Sequence, residues 1–100
     1  MGRASRSKPR HLAKKLLRIR KGLGLSQNEL IQRMGLEKGL LREEISDFER
    51  DKRVPSLLVL LAYGRVANVY IDALIDDTLD LPRRIPSNVR SSGVKRRQQG

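Results

Sequence analysis

Residues 22–35 read Gly-Leu-Gly-Leu-Ser-Gln-Asn-Glu-Leu-Ile-Gln-Arg-Met-Gly, and they delimit one helix at both ends. Ser26 and Glu29 stand at the S-x-x-E spacing of a capping box, in which each side chain accepts a backbone N–H that the start of a helix leaves unpaired. A helix therefore begins at Ser26-Gln27. Leu30, Ile31 and Met34 form its apolar stripe, and Gly35 suits the left-handed conformation that follows a helix. Upstream, Gly22 and Gly24 end whatever helix precedes it.

The same reading extends outward in both directions. Leu12, Leu16 and Ile19 recur at i, i+4 and i+7, which predicts a first helix with Lys14, Lys15, Arg18 and Lys21 pointing away from the core. Residues 36–41 after the turn do not declare a conformation, because Gly39 opposes a continuous helix that its neighbours would tolerate. Leu41, Ile45 and Phe48 then set the period of a third helix that exposes Arg42, Glu43, Ser46, Asp47 and Arg50. It stops before Arg53-Val54-Pro55, since the residue preceding proline avoids the helical region. Ser56 caps a fourth helix to about Ala67, with Leu57, Leu60, Leu61 and Ala62 as its apolar face and Asn68 as terminator. Ile71, Leu74 and Ile75 mark a short fifth. The expectation is an all-α, compact five-helix bundle over residues 11–77, flanked by a flexible basic arm, 1–10, and a basic disordered tail, 78–100.

Charge supports that division. Of the 22 Lys and Arg residues, nine lie in residues 1–21 and six in residues 83–100, and neither segment carries an acid. The middle holds seven basic residues against all eleven acids, a net of −4. Cationic ends around a nearly neutral body suit a polyanionic partner such as nucleic acid. Only Phe48, Tyr63 and Tyr70 are aromatic, so the core is expected to be built largely from Leu, Ile, Val and Ala. Without cysteine there is no disulfide, thiolate or zinc-finger chemistry. The apolar run from Leu57 to Tyr63 is far short of the roughly 20 residues that span a bilayer. The basic start also lacks the apolar region of a secretory signal, so a cytoplasmic location is expected. His11 is the single histidine and sits in the arm, and no glycine-rich phosphate loop or paired-carboxylate pocket is evident; an enzyme is not expected, nor a cofactor. Asp76, Asp77 and Asp80, just past a helix, read as solvated acids rather than metal ligands.

Two short helices separated by a glycine turn, the second displaying hydrogen-bonding side chains, follow the logic of a helix-turn-helix. Arg20, Gly24-Leu25-Ser26-Gln27, Glu29-Leu30, Gly35, Ile45-Ser46, Glu49-Arg50, Lys52-Arg53 and Pro55-Ser56, followed by Leu-x-x-Leu-Ala and Ile-x-x-Leu-Ile, resemble the signature of the Xre/Cro-like helix-turn-helix family. The likeness covers Leu12 to Asp76, the phage-repressor-like domain. Two departures stand out: the segment from Gly35 to Ile45 is about four residues longer than the family's, and Asp51 stands where a glycine is usual.

The resemblance implies a sequence-specific transcriptional regulator that binds double-stranded DNA, nucleoid-associated when bound. In that reading Gln27 and Asn28 at a helix N-terminus, with Arg50, Lys52, Arg53 and Arg10, contact phosphates. Arg42, Glu43, Ser46 and Asp47 face base edges, and Arg20 and Glu49 form an internal ion pair that orients the reading surface. The competing reading of Glu43, Glu44 and Asp47 is a solvated acidic face that repels phosphate and reads nothing. The amino-terminal arm, with Arg3, Arg6, Lys8 and Arg10, tracks the backbone and steepens the salt dependence of binding. Homodimerisation through helices four and five is expected, because paired recognition helices meet successive major grooves. The alternatives are an antitoxin-like or accessory module that grasps another protein, with DNA contact secondary, and RNA binding through the arms.

Overall fold

In the computed structural model, which describes residues 8–96, five helices follow one another: α1 Leu12–Leu23, α2 Gln27–Met34, α3 Arg42–Glu49, α4 Leu57–Ala67 and α5 Ile71–Ile75. The capping box closes as its spacing requires. Ser26 Oγ accepts the Glu29 N–H at 3.1 Å and Glu29 Oε1 accepts the Ser26 N–H at 2.8 Å. Those bonds hold the Glu29 carboxyl below the usual carboxylate range. Gly24 and Gly35 close α1 and α2 in the left-handed region, with φ of 71° and 73°. Asn68 does the same for α4, and Ser56 Oγ caps that helix from the Val59 N–H at 3.3 Å.

The core gathers Leu12, Leu16 and Ile19 of α1, Leu30 and Ile31 of α2, Ile45 and Phe48 of α3, Leu60 and Tyr63 of α4, and Ala73 and Leu74 of α5. Several expected faces are turned. Leu40, not Leu41, enters the core, and Leu41 is 63% exposed as the residue that opens α3. Leu57 is 75% exposed and Ile75 43%, both expected to be covered, and Leu58 beside Leu57 is 76% exposed. Helical period identifies which side chains share a side, but only the neighbouring helices determine which side is covered.

Lys15 is a further correction. Expected to point away, it is buried, and Nζ donates to the carbonyls of Ala73 at 2.8 Å, Asp76 at 3.2 Å and Leu74 at 3.5 Å. Its ammonium therefore satisfies the acceptors that α5 leaves unpaired at its C-terminus. Asp77 returns the favour to α1, accepting the N–H groups of Arg10 at 2.8 Å and His11 at 3.1 Å. The two helices are thus capped by each other.

The fold is not purely all-α. Leu79–Asp80 (β1) and Val94–Lys95 (β2) pair antiparallel, Leu79 opposite Lys95 and Asp80 opposite Val94. Between them the chain forms a strap where a disordered tail was expected. Ser87 N donates to Ala67 O at 3.0 Å, Tyr70 N to Ser91 O at 2.8 Å and Arg96 N to Thr78 O at 2.8 Å. Leu81 is buried and Ile85 lies against Gly22. Arg83, Arg84, Arg90 and Lys95 stay exposed, so the charges that suggested a tail belong to side chains in water while the backbone beneath them is paired. The expected disorder of the first seven residues, including Arg3 and Arg6, concerns residues outside those described.

Candidate nucleic-acid interface

Three helices meet at one carboxylate. Glu49, at the end of α3, accepts from Arg20 twice, Nε to Oε2 at 2.7 Å and the second terminal nitrogen to Oε1 at 2.9 Å. Arg20 spends its remaining terminal nitrogen on the Leu25 carbonyl at 3.0 Å, and Gln27 Nε2 reaches Glu49 Oε1 at 3.2 Å. The Arg20 and Glu49 side chains are 17% and 5% exposed, so the pair is largely out of water. A two-pronged guanidinium–carboxylate contact fixes direction as well as distance. It therefore sets α3 relative to α1 and the start of α2. Tyr63 of α4 feels both charges: burial first and then Glu49 push its phenol up, while Arg20 pulls it down.

Gln27 sits where expected, at the first position of α2, but its amide is committed inward to Glu49. The Glu29 N–H is taken by Ser26 Oγ and the Leu30 N–H by the Ser26 carbonyl. Among the described residues the N–H groups of Gln27 and Asn28 have no acceptor, and these two are the outward donors of α2. Asn28 is exposed and, with Ile31, Gln32, Glu37, Leu40, Leu41, Arg42 and Glu43, lines a groove of about 610 Å³. The segment after Gly35 builds one wall of it. Leu36 N returns to Ile31 O at 3.1 Å, and the N–H groups of Gly39 and Leu40 both donate to Leu36 O at 3.0 Å. A tight turn thus drops Leu40 into the core and presents Leu41 at the entrance to α3.

On α3, Arg42, Glu43, Ser46 and Asp47 occupy one side, because Ile45 and Phe48 are buried on the other. Arg42 and Glu43 are strongly exposed, with 4.0 Å between their charged groups, and Asp47 lies 3.6 Å from Arg50. Leucine offers no acceptor, so the start of α3 is capped from one side only, by Glu44 Oε1 accepting the Leu41 N–H at 3.0 Å. The other Glu44 oxygen holds Arg53 at 2.9 Å. Arg53, expected on a phosphate, is thus tethered toward α3 while still exposed; Arg50 and Lys52 are exposed as well, Arg50 beside Asp47. Asp51 adopts a φ of 63°, a left-handed conformation that aspartate tolerates better than most residues. Lys8 Nζ lies 3.1 Å from the Asp51 carboxylate, so the arm approaches the loop after α3. Arg10 is exposed, with its backbone held by Asp77.

Leu41, the Glu44–Arg53 contact and the Gln27–Glu49 bond were missed by sequence reasoning. The last was within reach, since Gln27 and Glu49 are both among the residues that carry the resemblance. The first depended on a turn of undeclared conformation. No described helix is long and apolar enough to cross a membrane, and the described residues contain no cluster of three or more potential metal ligands. Comparison of this chain with protein-family models, with curated proteins and with solved structures gives no match.

Proposed function

We propose that this chain binds double-stranded DNA sequence-specifically through α2 and α3, used as a helix-turn-helix, and acts as a dimeric transcriptional regulator. The observation that carries the reading is the Arg20–Glu49–Gln27 junction behind an α3 whose opposite side exposes Arg42 and Glu43 and holds Ser46 and Asp47 half-buried beside them. A helix fixed from behind, with polar side chains on its outer side, is what insertion in a major groove needs. Arg42 reads a guanine edge, and Glu43 or Asp47 accepts from cytosine while rejecting other bases. Arg50, Lys52, Arg53, Arg10 and the N–H groups of Gln27 and Asn28 supply the phosphate contacts, and the arms add charge.

Selection of bound fragments from random duplexes tests this. A selected duplex should bind at least tenfold tighter than its scrambled form; equal weak binding to both would overturn the proposal. Arg42→Gln should relax the preference at one base pair, whereas Lys52→Gln should weaken all duplexes alike and lower the salt slope by about 1. The homodimer rests on the exposed Val54, Leu57 and Leu58 at the start of α4. A monomeric mass at high concentration, both free and on the selected duplex, would sink that part.

One observation favours a second reading, a protein-binding module. Glu43 and Asp47 face outward and oppose phosphates, while Leu41, Leu57 and Leu58 offer apolar surface. Duplex binding without sequence preference is the outcome that selects it.

A further inference from the structure

A second concave site lies away from that surface. A cavity of about 220 Å³ between the first turns of α1 and the carboxy-terminal strap is lined by His11, Lys14, Lys15, Arg18, Leu81 and Arg96. Five of these six residues carry a basic nitrogen and none carries a carboxylate. His11, Lys14 and Arg18 stand at i, i+3 and i+7, one side of a helix, and the strap contributes Leu81 after β1 and Arg96 after β2. Both the helical period and the β1–β2 pairing are needed to assemble it.

The acids nearby are already spent. Asp77 accepts the Arg10 and His11 N–H groups, Asp76 accepts from Thr78, and Asp80 pairs with Arg96. Arg18 uses one terminal nitrogen on the carbonyls of Pro82 and Arg83, both at 3.0 Å. Among the described residues, the Lys14 ammonium and the His11 imidazole have no hydrogen-bond partner. Burial lowers the pKa of Lys15, Asp77 and Asp80 work against that, and the Arg96 charge adds to it. Donors exceed acceptors around the cavity, and positive charge exceeds negative. Its volume equals that of about seven waters, enough for a tetrahedral oxyanion and part of its shell.

We propose that this cavity binds a phosphate-class anion, inorganic phosphate or the phosphomonoester of a small molecule, with Lys14 and Arg18 as its charged donors and Arg96, already paired with Asp80, as its far wall. A charge-assisted hydrogen bond from a planar guanidinium suits such a ligand. Leu81 supplies the apolar wall for the carbon portion of an ester. The position separates the site from the α2–α3 surface. Arg18 and Arg20 are two residues apart on α1, about 160° around a helix of 3.6 residues per turn, and Arg20 is the residue that faces Glu49 of α3. Neither α2 nor α3 contributes a lining residue.

The full chain is titrated with inorganic phosphate in the absence of DNA, at ionic strength held constant with chloride, and backbone amide resonances are followed. Saturable shifts should appear at His11, Lys14, Lys15, Arg18 and Arg96 and be absent from α2 and α3. Lys14→Gln, at an exposed position that leaves the fold intact, should weaken the response at least tenfold. Shifts that grow linearly without saturating, or that are unchanged in Lys14→Gln, would overturn the proposal. A second arm adds duplex DNA. Duplex affinity unchanged in Lys14→Gln supports a small ligand; a loss of duplex affinity matching the loss of phosphate affinity assigns the cavity to a nucleic-acid phosphate and overturns it. The first arm contains no DNA, so its result does not depend on the proposed function.

Discussion

α1 carries two cations into the protein interior and satisfies them in different ways. Near its C-terminal end Arg20 meets a carboxylate, Glu49, in a two-pronged contact that also collects Gln27. Near its N-terminal end Lys15 meets only main-chain oxygens, at the last turn of α5 and just beyond it. A guanidinium is planar and weakly hydrated and is well matched by a carboxylate. An ammonium is a compact charge that can turn toward several oxygens at once. The first arrangement defines an angle between helices, and the second ties a short helix down. The end that sets direction bears the proposed reading surface, and the end that closes the bundle bears the anion cavity.

The largest effect is expected from breaking the first arrangement. Glu49→Ala leaves Arg20 largely desolvated without its partner and should cost about 3 kcal/mol, measured by denaturant unfolding. Arg20→Met strands the more deeply buried Glu49 carboxylate instead and should cost at least as much. The double variant Arg20→Met/Glu49→Ala, which removes both charges, should cost less than the two single losses summed; strict additivity would show that packing, not the stranded charge, is what matters. Gly93→Ala strikes the opposite end. Gly93 has a φ of 91°, and a Cβ there would run into the Asp80 carbonyl oxygen and the Ala73 side chain, so a loss of about 2 kcal/mol is expected. Its amide spectrum should change in the strap and around Lys15 and be unaltered around Glu49.

Lys15→Met keeps the stem but orphans the α5 carbonyls, and a cost of about 1–2 kcal/mol is expected from that. No loss at all would mean that water reaches those oxygens and that Lys15 is not the closure described. The return contact is pH-dependent. Bonds from the Arg10 N–H, and then from that of His11, hold the Asp77 pKa below its ordinary value. A carboxyl whose folded pKa is depressed contributes stability that is present above its unfolded pKa, near 3.9, and is lost as pH falls through the folded value. Stability should therefore decline more steeply below about pH 4 in the native chain than in Asp77→Asn. The smallest effect has the opposite sign. Tyr63 is wholly buried, and its hydroxyl has no partner among the described residues. Tyr63→Phe should leave stability unchanged or raise it by up to about 1 kcal/mol. A clear loss would reveal a bond from that hydroxyl to the Arg20–Glu49 junction.

What could be read from the chain alone was local. Ser26 with Glu29, Ser56 with Val59, and the left-handed positions of Gly24, Gly35 and Asn68 involve residues within one turn of each other, where spacing dictates geometry. The five helices followed from these and from a 3.6-residue period. The Arg20–Glu49 pair came into view through the resemblance, since 29 positions separate its members. Tertiary structure alone determined the rest. A period says that Leu57 and Leu60 lie near one another on a helix, but not that α4 buries Leu60 and leaves Leu57 in water. Lys15 is bound by carbonyls, and every residue has a carbonyl, so no side-chain pattern announces it. The strap was hidden for the same reason: its arginines describe the surface, while its attachment depends on backbone N–H and C=O groups that become partners only once the helices have brought them within reach.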